Sequence, residues 1–324
     1  MRTYSQLTEE ERNLLYQGLQ QGLKPADIAH ALHRHPSTIG RELERNSTSL
    51  GYLPDKAQRA YKERRKSCHG RPKLSDDHLL ARLLQGLQDG WSPEQIAGRL
   101  RLEDGRPRIC HQTLYHFIYN TPVGKQLELY QFLRRGKKHP THRHGPRAHT
   151  DPIAGRLFVE ERPPEANQRL RVGDWETDSL LFAHQQALNT LTERYSRFLR
   201  LGLLQNRSAD ETARVLQEQL AGLPVTSVTA DNGPEFARHE AVSRALRVPF
   251  FFCHPYSSWE KGTVENTNGL VRCYLPRRTD LRKITQQDLE EIADELNHRP
   301  RKCLGYRTPS EVLLQSGVAL GIRI

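Results

Sequence analysis

The chain has 324 residues, long enough for two or three domains, and carries 49 Lys and Arg against 38 Asp and Glu, a net charge of +11. No apolar run approaches the roughly 18 residues of a membrane span, and Met1-Arg2-Thr3-Tyr4-Ser5-Gln6 lacks the apolar stretch of a secretory leader. The five cysteines (Cys68, Cys110, Cys253, Cys273 and Cys303) are scattered and form no Cys-x-x-Cys pair, which argues against a disulfide framework or cysteine zinc knuckle and suits a reducing cytosol.

The charge is unevenly spread. Residues 1–150 hold 26 basic and 15 acidic side chains, whereas residues 151–324 hold 23 of each. A basic half joined to a neutral half suggests a polyanion-binding region tethered to something else.

The basic half contains a repeat. Gln17 to Leu32 matches Gln85 to Leu100 at an offset of 68 without a gap, with nine of sixteen positions identical. In the first copy Thr8-Glu9-Glu10-Glu11 is a capping box that starts a helix ending near Gly22, and Pro25 opens the next, with Ile28, Ala29 and Leu32 on one face. His35-Pro36-Ser37-Thr38 makes a turn into a helix with Ile39 and Leu43 inward. In the second copy Ser92-Pro93-Glu94-Gln95 is again a capping box, and the last helix runs His111 to Ile118 with Leu114, Phe117 and Ile118 inward. This is helix-turn-helix patterning, twice. In such a unit the second helix enters the major groove and its first residues reach base edges. That geometry selects Ser37, Thr38 and Arg41 in the first copy, and Gln112, Thr113 and His116 in the second.

The expected organisation is a first helix-turn-helix over 1–50, a basic helix or linker over 51–72, a second helix-turn-helix over 73–122, a basic flexible linker over 123–168 and a catalytic domain over 169–324. The run Arg134 to Arg147 is too polar and broken to build a core, and its histidines have no cysteine partners at zinc spacing.

From about residue 170 the pattern changes. Strands are predicted over Val172–Phe182, Ala187–Thr192, Arg197–Leu203, Val225–Ala230 and Pro249–Cys253, and helices over Ser208–Leu220, Pro234–Leu246, Lys261–Tyr274 and Thr285–Leu296. Three strands followed by alternating helix and strand give an α/β fold, a mixed sheet with helices on its faces. Asp231 closes a strand, where ligands bind in open α/β sheets. Asp174, Glu176 and Asp178 share one face of the first strand, and periodicity does not choose among them. Glu265, Asn268 and Arg272 share one helix face. Acids converged from three elements repel one another and require a cation, which implies a divalent metal site.

Trp175-Glu176-Thr177-Asp178, Asp231-Asn232-Gly233 and the run from His254-Pro255-Tyr256-Ser257-Ser258-Trp259 through Glu260-Lys261-Gly262-Thr263-Val264-Glu265-Asn266-Thr267-Asn268-Gly269 resemble the retroviral-integrase-type core of DDE transposases. More narrowly they resemble the bacterial insertion-sequence transposases of the "thirty" family, which the interval of 33 residues between Asp231 and Glu265 suits. Asn297-His298-Arg299-Pro300-Arg301-Lys302-Cys303-Leu304-Gly305-Tyr306 and Thr308-Pro309-Ser310-Glu311 match that family's C-terminal motif, and the tandem helix-turn-helix is similar too. Asp174 stands where relatives often have His and Thr177 where they often have Gly, and neither change removes a metal ligand.

The resemblance implies a ribonuclease-H-like catalytic domain with Asp178, Asp231 and Glu265 as its acids. They would hold two Mg²⁺, or Mn²⁺ in their place, to activate the attacking water or DNA 3′-hydroxyl and stabilise the leaving oxygen. It also implies binding of double-stranded DNA at terminal inverted repeats and target, at least a dimer to join two element ends, and a cytoplasmic, nucleoid-associated location. Lys261, Asn268 and Arg272 would position phosphates, and Trp259 or Tyr256 would pack on a base, Trp259 being equally readable as a core or hinge residue. Two rivals use the same residues: a non-catalytic helix-turn-helix regulator descended from a transposase, and a ribonuclease-H-like nuclease that hydrolyses without joining.

Overall fold

The first helix starts where its cap is made. The Glu11 N–H donates to Thr8 Oγ1 at 3.1 Å and the Thr8 N–H donates to Glu11 Oε2 at 2.7 Å. A computed structural model describes residues 5–68, 73–133, 153–255 and 257–317, and the chain divides into two units, Met1–Ser75 and Asp76–Ile324.

In the first unit α1 (Glu9–Gln20), α2 (Pro25–Ala31) and α3 (Pro36–Asn46) lead into a short hairpin, β1 (Ser47–Thr48) with β2 (Gly51–Tyr52), and then α4 (Pro54–Cys68). Leu15, Ile28, Ala29, Ile39 and Ala57 form its core. The segment predicted as a basic helix or linker is therefore a helix whose Ala57 closes that core. Arg12, almost fully buried, ties the unit together: its guanidinium donates to Glu42 of α3, Gln58 of α4 and the Leu7 carbonyl.

The second unit begins with α5 (Asp77–Gln88), α6 (Pro93–Asp104), α7 (His111–Asn120) and α8 (Pro122–Gln126). The repeat seen in the sequence is a repeat in packing. A Cβ on Gly18 would lie 2.9 Å from the Ile28 side chain, and one on Gly86 would lie 2.7 Å from Ile96. These glycines let the two helices of each copy approach. Gly22 and Gly90 follow at φ +76° and +70°, in the left-handed turn that glycine adopts without strain.

The sheet comprises β3 (Leu157–Phe158), β4 (Asp174–Leu181), β5 (Ala187–Glu193), β6 (Leu199–Leu204), β7 (Ser227–Ala230) and β8 (Phe250–Phe252) in the order β3-β8-β7-β4-β5-β6. Strands β4, β5 and β6 form an antiparallel meander, while β7, β8 and β3 add in parallel beyond β4. This is the mixed sheet that the order of predicted elements called for. α9 (Pro164–Gln168) precedes β4, α10 (Ala209–Leu220) crosses from β6 to β7, and α11 (His239–Leu246) links β7 to β8. α12 (Gly262–Tyr274), α13 (Gln286–Asn297) and α14 (Pro309–Gln315) follow.

Strand periodicity decides the two layers. Trp175 enters a core with Leu216, Leu220, Phe236, Val242 and Phe250, on the α10 and α11 face. Leu180, Leu188 and Leu199 pack with Val271, Leu289 and Leu296, on the α12 and α13 face. Asp174, Glu176 and Asp178, in phase with Leu180, therefore point toward α12.

Two expectations need correction. Residues 123–168 are not linker throughout: Pro122–Gln126 is α8, Leu129 is buried in the following turn, and Leu157–Phe158 pairs with β8 at the sheet edge. Two-residue pairing carries no local periodicity, so only the sheet reveals it. The run Arg134 to Arg147 lies outside the described residues. The helix predicted over Pro234–Leu246 is instead a tight turn, Pro234–Phe236, followed by α11, because Phe236 turns into the core before α11 begins.

Candidate active site

Asp178 lies inside β4, just beyond its pairing with β7, and Asp231 lies just past β7, on adjacent parallel strands. Between them sits a cation from the chain itself. Lys261 Nζ donates to Asp178 Oδ1 at 3.0 Å and to Asp231 Oδ2 at 2.7 Å. Asn268 Nδ2, two turns down α12, donates to Asp178 Oδ2 at 2.8 Å, and the Ser179 N–H donates to Oδ1 at 3.0 Å. Burial pushes the Asp178 carboxyl above its ordinary value; Lys261 opposes that and Asp231 adds to it. Burial alone would lower the Lys261 ammonium, but the two carboxylates outweigh it and hold it above the ordinary lysine value.

Glu265 is exposed on the first turn of α12, and its carboxyl is raised by partial burial, opposed by Lys261 and reinforced by Asp178, Glu176 and Asp231. It thus lies within electrostatic reach of Asp178, Asp231 and Glu176. Among the described residues, no group of three or more His, Cys, Asp or Glu is gathered closely enough to hold a metal ion. The expected convergence is therefore two acids around Lys261, with Glu265 in electrostatic reach. The cation demanded by acid repulsion is here supplied by a lysine, an alternative that motif spacing does not reveal.

The other acids of the β4 face are engaged elsewhere. Asp174 is 1% exposed, bound to the Arg171 guanidinium and to Ser227 Oγ at 2.6 Å. Glu176 is fully buried, paired with Arg194, and accepts the Val264 N–H at 2.9 Å. A carboxylate on free N–H groups in the first turn of a helix is favourable. Glu176 therefore anchors the start of the helix that carries Glu265, a role that sequence reasoning missed.

Asp231 and its neighbours form a short turn. The Gly233 N–H donates to Asp231 Oδ1 at 3.1 Å, Asn232 Nδ2 donates to the Cys253 carbonyl at 2.5 Å, and Asn232 Oδ1 accepts from Arg156. Asn232 thereby ties the end of β7 to the end of β8. Arg156 comes from the segment read as linker, and nothing in the local sequence signalled it.

The three residues expected to position phosphates make contacts within the chain. Lys261 is buried in the acid pair, and Asn268 supports Asp178. Arg272 donates to the Leu181 carbonyl at 2.8 Å, with its guanidinium 4.3 Å from the Phe182 ring centroid. Asn268 and Arg272 turn inward because their side of α12 packs on β4, and Lys261, just before α12, is drawn in by the two carboxylates. Trp259 is 76% exposed and so is no core residue; Tyr256 lies outside the described residues.

On α3, Ser37 and Arg41 are exposed and Thr38 is half-buried. Thr38 and Arg41 line a cleft of about 470 Å³ with Arg45, Tyr61, Arg64 and Arg65, so α3 and α4 form two basic walls. On α7, Gln112 and His116 are exposed, and Thr113 Oγ1 lies 3.2 Å from the Cys110 sulfur. Among the described residues, no helix is long and apolar enough to cross a membrane.

A helix-turn-helix domain family matches residues 3–46. The chain is 35% identical over 314 residues to the transposase for insertion sequence element IS4351 of Bacteroides fragilis, covering 95% of each. It is 37% identical over 323 residues to the transposase for insertion sequence element IS1086 of Cupriavidus metallidurans, covering 96% of this chain and 95% of that one. The transposase InsI for insertion sequence element IS30A of Escherichia coli K12 is 34% identical, over 98% of this chain and 86% of its own. Among solved structures, the catalytic core domain of BIV integrase aligns with 44% of this chain and 95% of its own at 21% identity and a TM-score of 0.36, a likeness too slight to bear on the site.

Proposed function

The chain belongs to the IS30 family of insertion-sequence transposases, and on that footing we propose that it binds the terminal inverted repeats of its element and catalyses Mg²⁺-dependent strand cleavage and strand transfer. The observation that carries this reading is the pairing of Asp178 and Asp231 around one cation, with Glu265 on a helix start anchored by Glu176.

The donor set suits a hard divalent cation. Asp178, Asp231 and Glu265 offer only carboxylate oxygens, and the first two already hold a positive charge between them. These three residues would hold two Mg²⁺, or Mn²⁺, which when bound activate the nucleophile and stabilise the leaving oxygen. The chain's own residues prepare that state. Asn268 orients Asp178, Asn232 fixes the turn that presents Asp231, and Glu176 fixes the helix that presents Glu265.

Cleavage exchanges one P–O bond for another, with water as the nucleophile and a DNA 3′-hydroxyl as the leaving group. In strand transfer that freed 3′-hydroxyl attacks a target phosphodiester and releases a target 3′-hydroxyl, so no covalent protein–DNA intermediate is required. Ser37, Thr38 and Arg41 of α3 and Gln112, Thr113 and His116 of α7 are the proposed base readers. Joining two element ends calls for at least a dimer.

The test uses purified full-length chain, Mg²⁺ and duplex DNA carrying an element end. The expected result is cleavage at the end, then joined product when a pre-cut 3′ end is supplied. Asp178→Asn and Glu265→Gln should bind that DNA and lose cleavage by more than the ~10–100-fold typical of residues behind a metal ligand. Cleavage without joining would leave a nuclease; binding with no cleavage by the unaltered chain would leave a regulator.

A further inference from the structure

The C-terminal motif Asn297 to Glu311 plays no part in the chemistry above, yet α6 of the second helix-turn-helix rests on it. Arg99 makes a two-pronged pair with Glu311, Nη1 to Oε2 at 2.8 Å and Nη2 to Oε1 at 2.7 Å. Lys302 Nζ donates to Glu94 Oε1 at 2.6 Å. Gln95 Nε2 donates to the Pro300 carbonyl at 2.6 Å, while its Oε1 accepts from the Ser92 N–H and from Arg299 Nε. One glutamine thus both caps α6 and docks it. Gly98 faces the Tyr306 ring so closely that a Cβ would lie 2.2 Å from it.

The repeat supplies an independent control. Positions 94, 95, 98 and 99 correspond to Ala26, Asp27, His30 and Ala31 of the first copy, which are all exposed. The two copies share the Gly, Ile, Ala and Leu that build the helix pair and differ at the residues that dock. Four of the seven positions at which the copies differ are these docking positions, as specialisation of one copy for a fixed seat would produce.

The seat itself is tied to the sheet. Asn297 Oδ1 accepts the Leu199 N–H at 2.8 Å, Asn297 Nδ2 donates to the Leu199 carbonyl at 2.9 Å, and Leu313 of α14 lies in the core with Trp175. A continuous set of contacts therefore runs from α7 through α6 and the C-terminal motif to the strands that carry Asp178 and Asp231.

We propose that the C-terminal motif is a docking platform that holds the second helix-turn-helix at a fixed place on the catalytic domain, so that the distance from the bases read by α7 to the phosphodiester cut is set by the protein. Arg99, Glu311 and Gly98 are positioning residues in this scheme, and none touches the reacting atoms. The inference rests on the reading that α7 contacts DNA and that the acid pair cuts it.

The test compares Arg99→Glu, Gly98→Leu and the charge swap Arg99→Glu with Glu311→Arg, each as full-length chain. Amide hydrogen exchange without DNA reads docking alone: both single variants should lose protection in α6 and in residues 299–311 together, and the swap should regain part of it, because Glu103 also pairs with Arg99 and Glu311 also caps α14 through Thr308. On duplex DNA carrying an element end, the unaltered chain should cut one bond. Arg99→Glu and Gly98→Leu should spread cutting over neighbouring bonds and reduce it at the original bond by at least about tenfold, with partial recovery in the swap. A purely structural role would lower the rate without moving the cut. Unchanged exchange, or cutting at the original bond alone in both single variants, overturns the proposal. Absence of cutting by the unaltered chain would count against the catalytic reading instead, and the exchange result would still decide the docking.

Discussion

Lys261 Nζ lies 2.7 Å from the Asp231 carboxylate and completes a bridge to Asp178, with 9% of its side chain exposed. Its removal leaves two partly buried carboxylates without a counter-charge. Lys261→Met should therefore destabilise the chain in EDTA by about 1–3 kcal/mol. Added Mg²⁺ should recover more of the melting temperature in this variant than in the unaltered chain. Equal recovery in the two would show that lysine and metal do not share the acid pair.

Glu176 and Arg194 are a buried pair, 0% and 4% exposed at their side chains. Removing one charge strands the other, so Glu176→Gln should cost about 3–5 kcal/mol. Denaturant unfolding of the full chain measures it. Because the same carboxylate accepts the Val264 N–H, amide exchange at the start of α12 should quicken as well. A loss under about 1 kcal/mol would mean the pair is not closed in solution.

Glycine substitutions should differ in sign. In a helix interior Gly→Ala ordinarily gains about 0.5–1 kcal/mol. Gly40 has open space where a Cβ would go, so Gly40→Ala should follow that rule. Gly86→Ala would place a Cβ 2.7 Å from Ile96, which is 2% exposed and has little room to yield. The clash, at about 1–3 kcal/mol, should outweigh the gain. Thermal melts of the two variants should shift in opposite directions.

The Arg99 hydrogen bonds hold the Glu311 carboxyl below its ordinary value of 4.5. A depressed folded-state value means stabilisation that is complete above the ordinary value and lost as pH falls through the folded one. Melting curves of the unaltered chain and Glu311→Gln should therefore differ by a constant amount from about pH 6 to 8, and the difference should shrink as pH falls below the ordinary carboxylate value and vanish below the depressed folded one. A difference that grows on acidification would contradict the pairing.

Much of the fold was legible because it is local. Thr8, Ser92 and Ser208 cap the helices they precede, and the alternation in β4 separates Trp175 from Leu180. The repeat at offset 68 was legible for the same reason, since Gly18 with Ile28 and Gly86 with Ile96 are contacts within one helix pair. Asp231 and Glu265 stood out through motifs within a dozen residues of each.

What the linear pattern determined was the kind of element at each place and the set of acids available to it. Periodicity put Asp174, Glu176 and Asp178 on one face without ranking them. Tertiary packing decided that Glu176 is taken by Arg194 and the start of α12, that Asp178 meets Asp231, and that Lys261 lies between them. It also decided that Arg156 reaches Asn232 and that α6 rests on Glu311. The physical reason is range. Caps and alternation depend on neighbours a few residues apart, whereas a charge finds its partner only when the sheet brings together residues as far apart as Arg99 and Glu311.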